Sequence, residues 1–210
     1  MKMHILILVI VIAALALSAA PASAVVIDFE SLLQDNGSIN PQGATYSEDG
    51  FTLLADPPSG GLGFVSFGTL AVPFFSGSTS LANFGVGGLT ELALTGGGSF
   101  SLDSIDLAGF NGPGVVPVTF TGDLTGGGTV TTTFTTTGGT GADTFTFPSS
   151  FDSVIKVSWI QDPAPYHQFD NIVASANNGN AVPEPASLGL LGLGLAGLAW
   201  ARRGVRQRLG

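Results

Sequence analysis

Few side chains in residues 25–180 could perform chemistry. Fourteen of the chain's fifteen acids precede Glu184 and lie there, with a single lysine, Lys156, and a single histidine, His167. A Ser-His-Asp arrangement would have to use His167 as its base. That histidine follows two prolines in the segment DPAPYHQ, residues 162–168, which reads as a rigid loop where it would be exposed or hydrogen-bonded. Glycoside hydrolysis needs only two facing carboxylates at a set separation, but the spacing picks out no such pair. Asp28 and Glu30 are two residues apart and are expected on one strand face, and Asp170 opens the last strand. Sugar rings pack on exposed aromatic faces, for which the candidates are Tyr46, Tyr166 and Trp159. Trp159 shares its phase with Ile155 and Val157 and is expected in the core. Tyr166, beside His167 and Gln168, is the stronger sugar-binding candidate.

Fourteen acids against one base give residues 25–180 a formal charge of −13. Such a surface repels nucleic acid and anionic lipid and favours hard cations such as calcium, which take carboxylate and carbonyl oxygens. The chain has no cysteine, so disulfides, thiolate metal sites and thiol catalysis are excluded together. Stability must come from core burial, with or without a metal.

The elements that would position these groups are strands. Residues 25–176 show no long helical periodicity; short alternating apolar runs are separated by glycine-rich turns, the pattern of an all-β sandwich. Eight to ten strands are expected. They include a first one in which Val25, Ile27 and Phe29 face one way, others at residues 51–54, 64–67 and 89–94, and a last one at residues 169–174. Phe100 and Leu102 share one phase, whereas Ile105 and Leu107 share the other, so a β-bulge is expected near Asp103 and Ser104. Residues 109–114 read as a loop. The Thr-Gly tract at residues 125–141 could pass for low complexity, but Val130, Thr132 and Phe134 keep period two and favour strands.

Both ends are apolar. Residues 1–24 place Lys2 before an apolar run and end in Ala22-Ser23-Ala24, the layout of a secretory signal peptide cleaved after Ala24. Residues 177–181 read as a linker. Beyond it come Val182, Pro183, Glu184 and Pro185, then sixteen residues, 186–201, whose only polar side chain is Ser187, then Arg202, Arg203, Arg206 and Arg208. A helix over 186–201 would be about 24 Å long, slightly short of a bilayer core of about 30 Å. Its four glycines, Gly189, Gly192, Gly194 and Gly197, suit a membrane helix better than a soluble one. The arginines should hold the C-terminus in the cytoplasm.

This three-part tail resembles the PEP-CTERM sorting signal of Gram-negative bacteria that make extracellular polysaccharide. The resemblance implies a membrane-embedded exosortase as partner. It implies cleavage near Pro183-Glu184-Pro185, and passage from the inner membrane to the cell surface or exopolysaccharide matrix. An ordinary membrane anchor is the alternative. The order of residues 100–107, 118–122 and 169–172 resembles jelly-roll domains of the carbohydrate-binding-module kind. In such domains the first and last strands lie close, so the resemblance suggests Asp28, Glu30 and Asp170 as partial ligands of a structural calcium, completed by backbone carbonyls; the sugar-binding candidates remain Tyr166 and His167, from their own residue types. The chain is therefore expected to be a non-enzymatic surface or matrix component; the alternative is a carbohydrate-binding module, and a jelly-roll glycosidase or lyase ranks behind both.

Overall fold

The computed structural model describes residues 23–56, 61–72, 74–110, 114–138, 141–163 and 166–177. The signal peptide, apart from its last two residues, and the entire sorting tail with its expected helix lie outside these residues. The strands in chain order are β1 (Val25–Ile27), β2 (Ile39–Gly43), β3 (Thr45–Glu48), β4 (Phe51–Asp56), β5 (Phe64–Phe67), β6 (Leu81–Asn83) and β7 (Leu89–Leu94). They continue with β8 (Phe100–Phe110), β9 (Pro117–Leu124), β10 (Thr129–Thr135), β11 (Asp143–Thr146), β12 (Val154–Ile160) and β13 (Tyr166–Ala176). Every strand pair is antiparallel, and the only helical elements among the described residues are two 3-10 turns, Glu30–Leu32 and Ser149–Phe151.

The expected all-β antiparallel architecture is what forms. One layer runs β10-β9-β12-β7-β4-β3; the other runs β2-β5-β6-β13-β8-β11, with β1 beside β6 on the free side of β13. A single pairing, Val154 with Phe100, joins the layers. Alternation decides which face is inward: Phe51, Leu53 and Ala55 of β4, Val118 and Phe120 of β9, and Val157 and Trp159 of β12 are buried, while the outward neighbours are mostly Thr, Ser, Lys or Asp, with Leu54 and Ile160 as apolar exceptions. Trp159 sits at the centre, its ring 5.1 Å from Phe169 at 90° and 5.2 Å from Phe120. Phe169 also meets Phe29 at 5.8 Å and Phe64 at 6.1 Å. Each such aromatic pair adds about 0.5–1.5 kcal/mol beyond area burial, which matters in a domain with no disulfide.

A second apolar cluster lies on the opposite face of β5, β6 and β8. Val65, Phe67, Ala71, Ala82 and Phe110 are buried there, with Phe74 and Tyr166 against them. All four residues of β5 are therefore buried, since both of its faces are covered.

The phase slip in β8 is present. Ala174 pairs with Leu102 but Val173 with Ser104, so Asp103 is passed over. A second irregularity answers it on β13, where three steps from Asp170 to Val173 oppose two on β8. Asn171, in the left-handed region at φ 44°, takes up the extra residue.

Three expectations need correction. Among the described residues there are thirteen strands rather than eight to ten, because β2, β3 and β6 (INPQG, TYSE and LAN) carry too little apolar alternation to be read locally. Strand β1 ends at Ile27, since Phe29 turns to φ 56° and starts a 3-10 turn at Glu30. Asp28 and Glu30 therefore do not share a strand face. The expected loop at residues 162–168 is shorter too: β13 begins at Tyr166, directly after Pro165.

Candidate functional site

The pairing of β13 with β8 sets Asp170 directly opposite Asp106, a like-charge placement that is unfavourable by itself. Asn171, the extra residue that follows Asp170 on β13, relieves it by donating to both carboxylates. The Asn171 backbone N–H donates to Asp170 Oδ1 at 2.7 Å, and its side-chain Nδ2 donates to Asp106 Oδ2 at 2.9 Å. Thr144 of β11 donates to Asp106 Oδ1 at 2.5 Å. Asp170 is 2% exposed and takes its other hydrogen bond from the Ser78 hydroxyl. Burial pushes its carboxyl up to about 6, with the nearby Asp106 and Glu30 carboxylates adding to the rise.

The neighbours of Ser78 are held in the same way. Glu30 accepts from Thr79 N–H at 3.0 Å and from the Thr79 hydroxyl at 3.3 Å. Ser80 donates to Gln168 Oε1, and Gln168 Nε2 donates to the Phe74 carbonyl at 2.8 Å. Three successive hydroxyl residues are thus strapped by one side chain from the 3-10 turn and two from β13.

The three acids expected to take part in holding a calcium ion are each turned to protein donors. Asp28 Oδ1 accepts the Glu30 N–H at 3.0 Å, capping its own turn. Glu30 and Asp170 are directed to Thr79 and Ser78 on the strap. Among the described residues no three acidic or histidine side chains converge closely enough to hold an ion. The first and last strands, near which Asp28, Glu30 and Asp170 lie, do pair. The oxygens of the three acids, however, are engaged by hydroxyl and amide donors.

His167 is not a loop residue. It lies in β13 opposite Gly109, 1% exposed, and burial lowers its pKa to about 4, so it is neutral at physiological pH. Its Nδ1 has no partner among the described residues. The Gln161 amide, in the orientation that satisfies both its ends, accepts from the His167 N–H at 2.9 Å and donates to its carbonyl at 3.0 Å. The imidazole itself is closed off from solvent. Tyr166 is half-buried, its ring 5.4 Å from Phe110 in the second apolar cluster. Tyr46 packs 5.2 Å from Phe29 and its hydroxyl meets Ser31 at 3.0 Å, with burial the main cause of its raised pKa. Trp159 is in the core with Val157, whereas Ile155, expected on the same face, is exposed because the register shifts between Val154 and Lys156. None of the three aromatic rings is an open platform.

The outer face of the β9-β12-β7 layer holds a cleft of about 280 Å³. Thr119 and Thr121 of β9, Ser158, Trp159 and Ile160 of β12, Leu89 of β7 and Asp162 line it. The register makes the grouping: Ser158 stands opposite Thr121 on one side and Glu91 on the other. One step along, Lys156 binds Glu91 at 2.8 Å and lies 3.5 Å from Asp123, and the bond to Glu91 is the first cause of its raised pKa. Separate segments of the chain supply the lining, so no local pattern in the sequence brings Thr119, Thr121 and Ser158 together.

Of the expected cleavage pair, Ala24 is described and exposed, and Ala22 lies outside the described residues. Residues 182–185 and the four arginines also lie outside them. There the PEP-CTERM protein-sorting motif matches residues 181–203, taking in Val182, Pro183, Glu184, Pro185, the apolar run, Arg202 and Arg203. The motif marks the chain as an exported, exosortase-targeted surface protein. No curated protein matches the chain. Two structures of point mutants of a family 29 carbohydrate-binding module are similar, each at 15% identity. One has a TM-score of 0.42 and covers 74% of this chain and 93% of its own; the other has 0.41, with 78% and 99%.

Proposed function

We propose that this protein is a non-catalytic component of a bacterial cell surface or exopolysaccharide matrix, delivered by its tail. The sorting motif at residues 181–203 carries the reading. A signal peptide exports the chain, and the apolar run of residues 186–201 holds it in the inner membrane. An exosortase then cuts near Pro183-Glu184-Pro185, leaving the β-sandwich outside. The burial of His167 and the strapping of Asp170 support a role without catalysis, because the two side chains with the most displaced pKa values are both sealed from substrate. Replacing Pro183, Glu184 and Pro185 by alanine should leave the uncut chain in the inner membrane. Normal processing of that variant would refute the sorting step.

A second reading, carbohydrate binding, is favoured by the hydroxyl-lined cleft at Thr119, Thr121 and Ser158. Hydroxyl and carboxylate groups beside the apolar Leu89 and Ile160 match the mixed character of a sugar ring. Filling the cleft with Thr121→Trp should abolish binding on a glycan array while sorting continues. Binding unaltered by that variant, or no binding by the natural chain, would remove this reading and leave the first intact.

A further inference from the structure

Strands β1, β2, β3, β10 and β11 each pair on one side only among the described residues. A free strand edge invites pairing with another chain, and proteins ordinarily blunt it with shortness, proline, bulges or charge. Four of these edges are blunted. Strand β1 has three residues; β3 and β11 have four each and carry Glu48 and Asp143; β2 contains Pro41 and a register shift beside it. Strand β10 has no such device. Its seven residues, TVTTTFT, pair with β9 without a break from Thr129 to Thr135, and no charged side chain lies between Asp123 and Asp143 in the sequence.

Antiparallel alternation fixes which backbone groups are free. Thr136 N–H donates to the Val116 carbonyl at 3.1 Å, and Leu124 N–H to the Gly128 carbonyl at 3.0 Å. These bonds bracket the hairpin, so Val130, Thr132 and Phe134 bond inward to β9. Thr131, Thr133 and Thr135 therefore direct their N–H and C=O groups to the open edge.

We propose that β10 is an assembly edge, pairing antiparallel with β10 of a second copy of this chain across a twofold axis. Charge selects this occupant. Residues 25–180 carry a formal −13, so two copies repel across most of their surfaces. The uncharged β10 edge is where they approach without that cost, and a cationic partner would be drawn to the acidic edges instead. Its composition, rich in β-branched residues and free of proline and glycine, favours strand pairing. A second copy would also close over Phe134 and Phe145, whose half-buried rings stack 4.9 Å apart where β10 lies over β11.

The test uses the full chain in mild detergent, with particle mass and backbone amide exchange followed against concentration. The expected result is a doubling of mass accompanied by slowed exchange of the Thr131, Thr133 and Thr135 amides. Thr131→Pro removes an edge donor that the monomer does not use, and Thr133→Lys adds edge charge; each should abolish both signals while the melting temperature holds. Should the proline variant fail to fold, the lysine variant decides. Free exchange of the three amides at every concentration overturns the proposal, whether the chain stays monomeric or associates through its apolar tail. Protection that does not change with concentration, or that survives in a folded variant, overturns it equally.

Discussion

His167 and Asp170 lie three residues apart in β13 and should drive stability in opposite directions over one pH range. His167 falls from its ordinary 6.5 to about 4 through burial, so between those values the unfolded chain binds a proton that the folded chain refuses. Acidification therefore destabilises the fold through His167, by about 3 kcal/mol once pH has dropped below about 4. Asp170 rises from 3.8 to about 6, chiefly through burial, with Asp106 and Glu30 adding to it. Here the folded state binds the proton first, so acidification stabilises the fold, by about 2 kcal/mol after allowing for solvent screening. The natural chain should thus show only a shallow net slope from this pair between about pH 4 and 7. Removing either member exposes the other. Asp170→Asn should lose stability relative to the natural chain as pH falls, and His167→Gln should gain. Urea melts of the full chain in detergent, read as variant-minus-natural differences at each pH, cancel the remaining carboxylates. Parallel slopes for the two variants, or no slope in either difference, would refute the reasoning.

Three further outcomes follow from the packing. Gly122→Ala would place its Cβ 2.8 Å from Val154 Cγ1 and 3.1 Å from the Phe151 ring, and overpacking of that kind costs about 1–3 kcal/mol in a urea melt. Asn171→Gly keeps the left-handed turn at φ 44° but loses the donor to Asp106. It should lose about 1–3 kcal/mol, and Asn171→Ala should lose more because backbone strain is added. A chelator should leave the melting temperature unchanged, because the Asp28, Glu30 and Asp170 oxygens are held by protein donors; a clear drop would restore a metal to that region.

Much of the architecture was written locally. Period-two alternation identified the Thr-Gly tract as strand β10, and the phase change between Leu102 and Ile105 located the bulge. Both features follow from the backbone, whose side chains must alternate between faces, so a slip in phase has to be absorbed by an extra residue. The tail was legible for a similar reason, since its three parts are contiguous. His167 was misplaced because burial is not a local property. Two prolines beside it suggest a loop, yet the pairing with Gly109 across β8 draws it into the sheet.

By itself the sequence determined that the chain is exported, carries a sorting signal, is acidic and cysteine-free, and folds from antiparallel strands. Those properties depend on composition, on segments read end to end and on a period of two residues. Only the tertiary structure decided that Asp170 meets Ser78 across 92 residues of chain, that Thr121 and Ser158 share a cleft, and that β10 has an open edge. Each of these depends on which strands become neighbours and in what register. That choice is made by the joint burial of Trp159, Phe120, Phe169 and Phe29, which lie far apart in sequence and meet only in the assembled core.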